Sequence, residues 1–332
     1  MRFKSTICLF VAAVLLLCFY IYDINQEKKK KETEKTAKAL FRFEPDDLES
    51  ITLVKGGETI KIQKKGDPDK KTWEIVAPIH TPAEGFVVDG LMKRLANLKY
   101  ERIMAENAGD LAQFGLEPPA FSVTFKTKEM SGKISFGTET PIEYGTYTRI
   151  GEEKKIYLVE TPGIKAMDKS LFDLRTKKLF TQNVDEIKTL IIDRKQGKWT
   201  LVKKKEGGWV FEDDPDFKID QQKASTLFID FLMARAASFE TESAQDLKPF
   251  GLHLPKARIT LSGRDRSETI LLGDPSKKAK NSIYAKMQAK PQVVTVNTSL
   301  LDDLPKDREA IKEKEKEKEG EKDKEQEAKK SD

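Results

Sequence analysis

Residue patterning along the chain points to an α+β fold: an N-terminal transmembrane helix followed by two tandem modules, each a mostly antiparallel sheet covered by one main helix. The duplication is read from Asp110-Leu-Ala-Gln-Phe-Gly-Leu-Glu-Pro-Pro119, which returns as Asp246-Leu-Lys-Pro-Phe-Gly-Leu-His-Leu-Pro255. Gly115 and Gly251 set the offset between the copies, and Trp73 with Trp209 and Gly137 with Gly273 keep it. The sheets are read from short alternating runs, and the anchor from an uncharged apolar opening. Together these divide the chain into an anchor over 1–24, a charged linker over 25–45, modules over 46–180 and 181–304, and a disordered Lys/Glu tail over 305–332.

The anchor comes first. Ser5 to Tyr22 carry no charge, and Ile7, Leu9, Phe10, Val11, Val14, Leu15, Leu16, Leu17, Phe19 and Ile21 are strongly apolar. As a helix this run spans ~27 Å, close to the ~30 Å hydrocarbon core of a bilayer. Phe19-Tyr20-Ile21-Tyr22 offers no small-x-small cleavage site, so the run reads as an uncleaved signal anchor that meets the lipid bilayer through residues 5–24. Both cysteines, Cys8 and Cys18, fall in it, ten positions or ~15 Å apart on a helix, too far to pair. Arg2 and Lys4 precede the span and Lys28 to Lys31 follow it, a count that by itself places the modules in the cytosol. The usual employment of a single N-terminal anchor is export.

The first module opens with Ile51, Leu53, Ile60 and Ile62 alternating either side of Gly56-Gly57, a β-hairpin signal. Trp73 to Pro78 reads as a third strand. Val87, Val88, Leu91, Leu95 and Leu98 follow helical spacing, so one face is buried. Beyond the turn, runs around Phe121–Phe125, Ile134–Phe136, Tyr147 and Ile156–Leu158 predict a four-strand meander, and residues 162–180 a second helix. The second module repeats the order, with a hairpin over Leu190–Asp193 and Trp199–Lys203 and a helix whose N-cap is Asp220 and whose stripe is Ala224, Leu227, Phe228 and Phe231. From Pro305 the chain alternates Lys and Glu and has too little to bury to offset its ordering entropy.

The recurrent positions are Trp73, Asp110, Phe114, Gly115, Leu116, Pro119 and Gly137, then Trp209, Asp246, Phe250, Gly251, Leu252, Pro255 and Gly273. They read as structural. Asp110 and Asp246 cap a single turn, Gly115 and Gly251 take positive φ, and the tryptophans fill cores. No catalytic, cofactor or metal residue is assigned. His80 and His253 do not fall on one another under the repeat, and Asp213, Asp214, Asp216 and Asp220 lack the glycine and glutamate of a calcium loop. There is no Gly-x-Ser-x-Gly, His-Glu-x-x-His, Cys-x-x-Cys or phosphate-loop motif. The net charge of +5 is dispersed among mixed Lys and Glu, which argues against nucleic acid.

The anchor, Trp73 before Pro78, the helix ending at Leu98, the Asp-Leu-x-x-Phe-Gly-Leu-x-x-Pro turn, Gly137 and Tyr144-Gly145-x-Tyr147 together resemble domain-of-unknown-function family 4340. The second copy departs from that pattern, with Ile283 in place of Tyr147 and Phe211-Glu212 in place of Ile75-Val76. The resemblance implies a bacterial membrane-anchored protein associated with ABC-2-type transporters of the gliding-motility kind, modules outside the cytoplasmic membrane, and no catalytic residues. The expectation is a non-enzymatic accessory subunit whose partner is a membrane protein of such a transporter. An envelope hydrolase with scattered carboxylates, or a spacer, are the alternatives.

Overall fold

The structure, a computed structural model, describes residues 16, 17, 19–24, 26, 37–66, 72–141 and 144–313. Most of the predicted span over Ser5–Tyr22, most of the linker and residues 314–332 lie outside them. Residues 16, 17, 19–24 and 26 are helical, and no helix among the described residues is long and apolar enough to cross a membrane. The chain forms two compact units, Met1–Thr176 and Lys177–Asp332.

In the first unit, β1 (Leu48–Lys55) and β2 (Glu58–Lys65) form the Gly56-Gly57 hairpin, followed by β3 (Thr72–Ala77) and the two-residue β4 (Thr81–Pro82). Helix α1 (Gly85–Ala96) then leads to β5 (Tyr100–Ala105). The meander is β6 (Phe121–Thr127), β7 (Ser131–Glu139), β8 (Gly145–Ile150) and β9 (Ile156–Glu160). All pair antiparallel in one nine-stranded sheet, ordered β4-β3-β2-β1-β6-β7-β8-β9-β5. Val88, Leu91, Met92 and Leu95 of α1 pack into one core with Ile51, Ile62, Ile75, Phe125 and Phe136. Period-2 strands and a period-3.6 stripe meet there, each large buried side chain contributing about 1.5–3 kcal/mol.

The second unit repeats this. Strands β10 (Thr189–Arg194), β11 (Gly197–Lys203) and β12 (Trp209–Phe211) precede α4 (Gln221–Leu232), and β13 (Ser238–Thr241) follows it. Then come β14 (Ala257–Ser262), β15 (Ser267–Pro275), β16 (Ser282–Met287) and β17 (Val293–Asn297), giving an eight-stranded sheet ordered β12-β11-β10-β14-β15-β16-β17-β13. Asp220 caps α4 by accepting from the backbone N–H groups of Gln222 and Lys223, and Ala224, Leu227, Phe228 and Phe231 are all buried.

Four features differ from the sequence reading. β5 and β13 were not expected: both are half-exposed sheet edges whose register shifts break the alternation. The helix predicted over 162–180 is instead α2 (Thr161–Lys165) and α3 (Leu171–Leu174). Ser170 is extended between them and starts a new helix, its side chain and that of Asp173 satisfying each other's backbone N–H in a capping box. Each unit also begins earlier than expected, with a lead-in segment pinned beside the residue after the helix. Leu40 N donates to Leu98 O (3.0 Å) and Tyr100 N to Lys38 O (3.1 Å); in the second unit Leu179 N donates to Ala234 O (3.2 Å) and Ala236 N to Lys177 O (2.8 Å).

The fourth difference concerns the tail. Residues 305–313 are not tail but the last piece of the second unit. After β9, the chain returns through α2 and α3 to the residues ahead of α1, where Glu84 N donates to Leu174 O (2.7 Å) and Thr176 N to Pro82 O (3.0 Å). After β17 it returns through α5 (Ser299–Asp302) and a 3-10 turn at Arg308–Ile311, where Asp220 N donates to Ile311 O and Glu313 N to Lys218 O, both at 2.9 Å. The copies correspond bond for bond, Ile311 standing where Leu174 stands in the first. Leu174 and Ile311 are the buried anchors, at 0% and 5% exposure. Asp307 caps the turn at Ala310 as Ser170 caps α3 at Asp173. We call this piece the return strap.

Candidate functional site

The recurrent turn is a docking device on the sheet face opposite the helix. Adjacent residues of a strand face opposite ways, and Tyr147 lies next to Thr148, which pairs with the core residue Phe136. Asp110 Oδ1 accepts from Ala112 N, and Asp246 Oδ1 from Lys248 N, both at 2.9 Å. Each opens one 3-10 turn that closes on a left-handed glycine, Gly115 at φ 64° and Gly251 at φ 66°. Phe114 then meets Tyr147 edge-on at 5.0 Å, while Leu116 is buried with Ala108 and Ile156. Phe250 meets Tyr284, also edge-on at 5.0 Å, over Leu252 and Val293. The turn reaches the sheet because Gly137 and Gly273 have no side chain: a Cβ there would overlap the carbonyl oxygen of Phe114 or Phe250. Pro119 and Pro255, both half-buried, lead into β6 and β14.

The second copy therefore keeps its tyrosine. The sequence alignment set Ile283 against Tyr147, but the loop between β15 and β16 spans 276–281, a single position longer than 140–144. The equivalent of Tyr147 is thereby moved on by one, to Tyr284. Trp73 and Trp209, at 5% and 3% exposure, sit in the helix-side cores. The recurrent residues thus fall into two structural groups, the docked turn and the core tryptophans.

The remaining candidates stay apart. His80 is exposed, with Nδ1 3.3 Å from Glu74, which also holds Lys65 at 2.9 Å. The Lys65 hydrogen bond is the largest cause holding the Glu74 carboxyl below its ordinary value. His253 is exposed in the second unit. Of the four clustered aspartates, Asp213 pairs with Arg308 and Asp220 caps α4. No group of three or more metal-ligating side chains gathers among the described residues.

Concave surfaces among the described residues include three depressions. A depression of about 630 Å³ at the foot of β1 and β2 holds Lys64, Lys65 and Lys126, which are engaged by the Asp46 carbonyl (2.8 Å), Glu74 and Glu49 (3.3 Å). One of about 350 Å³ is crossed by Lys55 bonded to Asp168. The third, about 790 Å³, lies between α4 and the return strap of the second unit. Its floor is Leu227, Leu304, Pro305 and Ile311. Arg194 secures the far side of the strap by donating to the carbonyls of Leu304 (3.0 Å) and Pro305 (3.2 Å). This groove was missed by sequence reasoning. The signal that could have found the closed modules is Lys38-Ala-Leu-Phe41 returning as Lys177-Lys-Leu-Phe180, slightly out of step with the offset of the turns.

The family model described as Domain of unknown function (DUF4340) matches residues 73–228 and 209–319, together more than half of the chain. The chain belongs to this family. Both DUF4340 matches begin at a core tryptophan, Trp73 in one copy and Trp209 in the other, so the family boundary falls after the opening hairpin and the first match runs on into α4. The second match takes in the return strap. No curated protein and no solved structure matches the chain.

Proposed function

We propose that this DUF4340 protein is a membrane-anchored, non-enzymatic accessory subunit that binds a membrane protein of an ABC-2-type, gliding-motility-like transport system and exposes both modules outside the cytoplasmic membrane. The observation that carries the binding reading is internal to the duplication. The recurrent residues are taken up in a docked turn and a core tryptophan in each module, whereas the exposed surface around the helices differs between copies, as a scaffold adapted for contact would. The apolar run Ser5–Tyr22 supports tethering, and the family resemblance supports the transporter.

The test is in-membrane cross-linking and mass spectrometry with an affinity tag after Asp332, since a tag at Pro305 would interrupt the return strap. High-yield recovery of ABC-transporter membrane subunits is the expected result. Recovery of the chain alone, or of envelope polymer alone, would overturn the transporter assignment, the polymer pointing to an envelope hydrolase. Alkaline phosphatase fused after Asp332 is expected to be active; a well-expressed, inactive fusion would place the modules in the cytosol.

A further inference from the structure

We propose that the groove between α4 and the return strap of the second module seats a lysine- or arginine-rich amphipathic helix of a partner protein. This inference deepens the binding-subunit reading and rests on it, though not on the partner being a transporter.

The shape comes first. From Asp220 to Asp230 the groove follows nearly the whole of α4, or ~15 Å, the length over which a docked helix presents anchors at i, i+3/i+4 and i+7. Its floor is apolar, as given above, and beyond it α4 exposes Ile229 at 49% and leads into Met233 at 64%, one turn further on. Around that apolar track the rim is acidic. Asp230, Asp303 and Asp307 are exposed, and Lys223 is held by the Ala310 carbonyl (3.1 Å) and by Asp220 (4.0 Å), so the lining sets the carboxylates of Asp220, Asp230, Asp303 and Asp307 against the ammonium groups of Lys223 and Lys306. An apolar stripe flanked by cations complements that arrangement, and charge complementarity fixes partner choice more than bulk affinity.

The first module supplies an internal control. In the register that sets Trp209 on Trp73, Ile229, Asp230 and Met233 correspond to Lys93, Arg94 and Asn97. In the register that sets Ile311 on Leu174, Asp303 and Asp307 correspond to Ala166 and Ser170. The anchors Leu304 and Ile311, by contrast, correspond to the buried Met167 and Leu174. The fold therefore requires the buried set in both copies, while the acidic rim and the exposed Ile229 and Met233 belong to the second; the first exposes Phe86 at 70% on α1 and Phe172 at 40% on its strap, with the cations Lys93 and Arg94 also on α1.

The experiment uses the full chain in zwitterionic phospholipid nanodiscs, with a photo-reactive p-benzoylphenylalanine at Thr226. The probes are a synthetic Leu/Lys amphipathic peptide and its Leu/Glu counterpart. The Leu/Lys peptide is expected to be captured at least about ten-fold better, with the advantage falling in added salt and lost in Asp230→Lys/Asp303→Lys. The same probe at Gly90, the equivalent place on α1, is expected to show no such preference. Equal capture of both peptides, or capture unchanged by charge reversal in a variant with wild-type circular dichroism, would overturn the proposal. In native membranes, an adduct from position 226 to a basic segment of another protein supports it, and an adduct to this chain or a second copy overturns it. If that basic segment belongs to no transporter, the groove stands and the transporter reading falls. If tagged chain recovers transporter subunits but position 226 yields no basic adduct, the reverse holds.

Discussion

Adding a methyl group at Gly137 would drive it into the carbonyl oxygen of Phe114, and at Gly273 into that of Phe250, so the turn would have to lift from the sheet. Overpacking of this kind costs about 1–3 kcal/mol. Gly137→Ala is expected to lower stability by that amount in urea unfolding followed by tryptophan fluorescence, while Gly163→Ala, with open space at its Cβ, stays within about 0.5 kcal/mol. Equal losses would remove the turn from the account. Glu268 belongs to the same scale. Burial pushes its carboxyl up, but donation from the Thr181 hydroxyl (2.5 Å) and the backbone N–H groups of Thr181 (2.8 Å) and Gln182 (3.3 Å) outweighs this and holds it below its ordinary value. A depressed folded value means stability that is present above the unfolded pKa of about 4.3 and lost as pH falls through the folded one. The stability advantage of wild type over Glu268→Gln is therefore expected near pH 7 and should shrink near pH 3; an equal difference at both would show that the charge is not involved.

Among the elements, the two long helices, α1 and α4, are the most legible and the straps the least. Val88, Leu91, Met92 and Leu95 recur as Ala224, Leu227, Phe228 and Phe231 at a constant spacing, and several buried residues per helix leave a clear period. Beyond Pro305 the second return strap offers one such residue. Ile311 stands among Lys306, Asp307, Arg308, Glu309 and Lys312, a composition that reads as solvated chain, and only its hydrogen bonds to the residues around Asp220 show otherwise. Removing a buried anchor of this size costs about 2–5 kcal/mol. A chain ending at Leu304 is thus expected to unfold at lower urea than one ending at Glu313, with Ile311→Ala in between. Coincident transitions would mean that the strap is ornamental to the module. β5 escaped notice for another reason: Tyr100-Glu-Arg-Ile-Met-Ala105 lies at a sheet edge, where alternation is not demanded.

For the molecule as a whole, duplication was readable because two copies of one fold need the same turn, and the turn's aspartate, glycine and proline are each hard to replace. The single insertion before β16 hid Tyr284, since a fixed offset fails at the first loop of unequal length. The candidate groove left no local pattern. Its walls, at Asp230 and Asp303, are separated in sequence by β13 and the whole second meander, and only the return of the chain brings them together. That return also determines how a module bears load. Its incoming chain is bonded just after α1 and its outgoing chain just before it, at opposite ends of a twelve-residue helix ~18 Å long. Tension between the two ends therefore has a short route through two backbone bridges and one helix, in parallel with the packing of Phe41 on Phe125 that ties the incoming chain to the sheet.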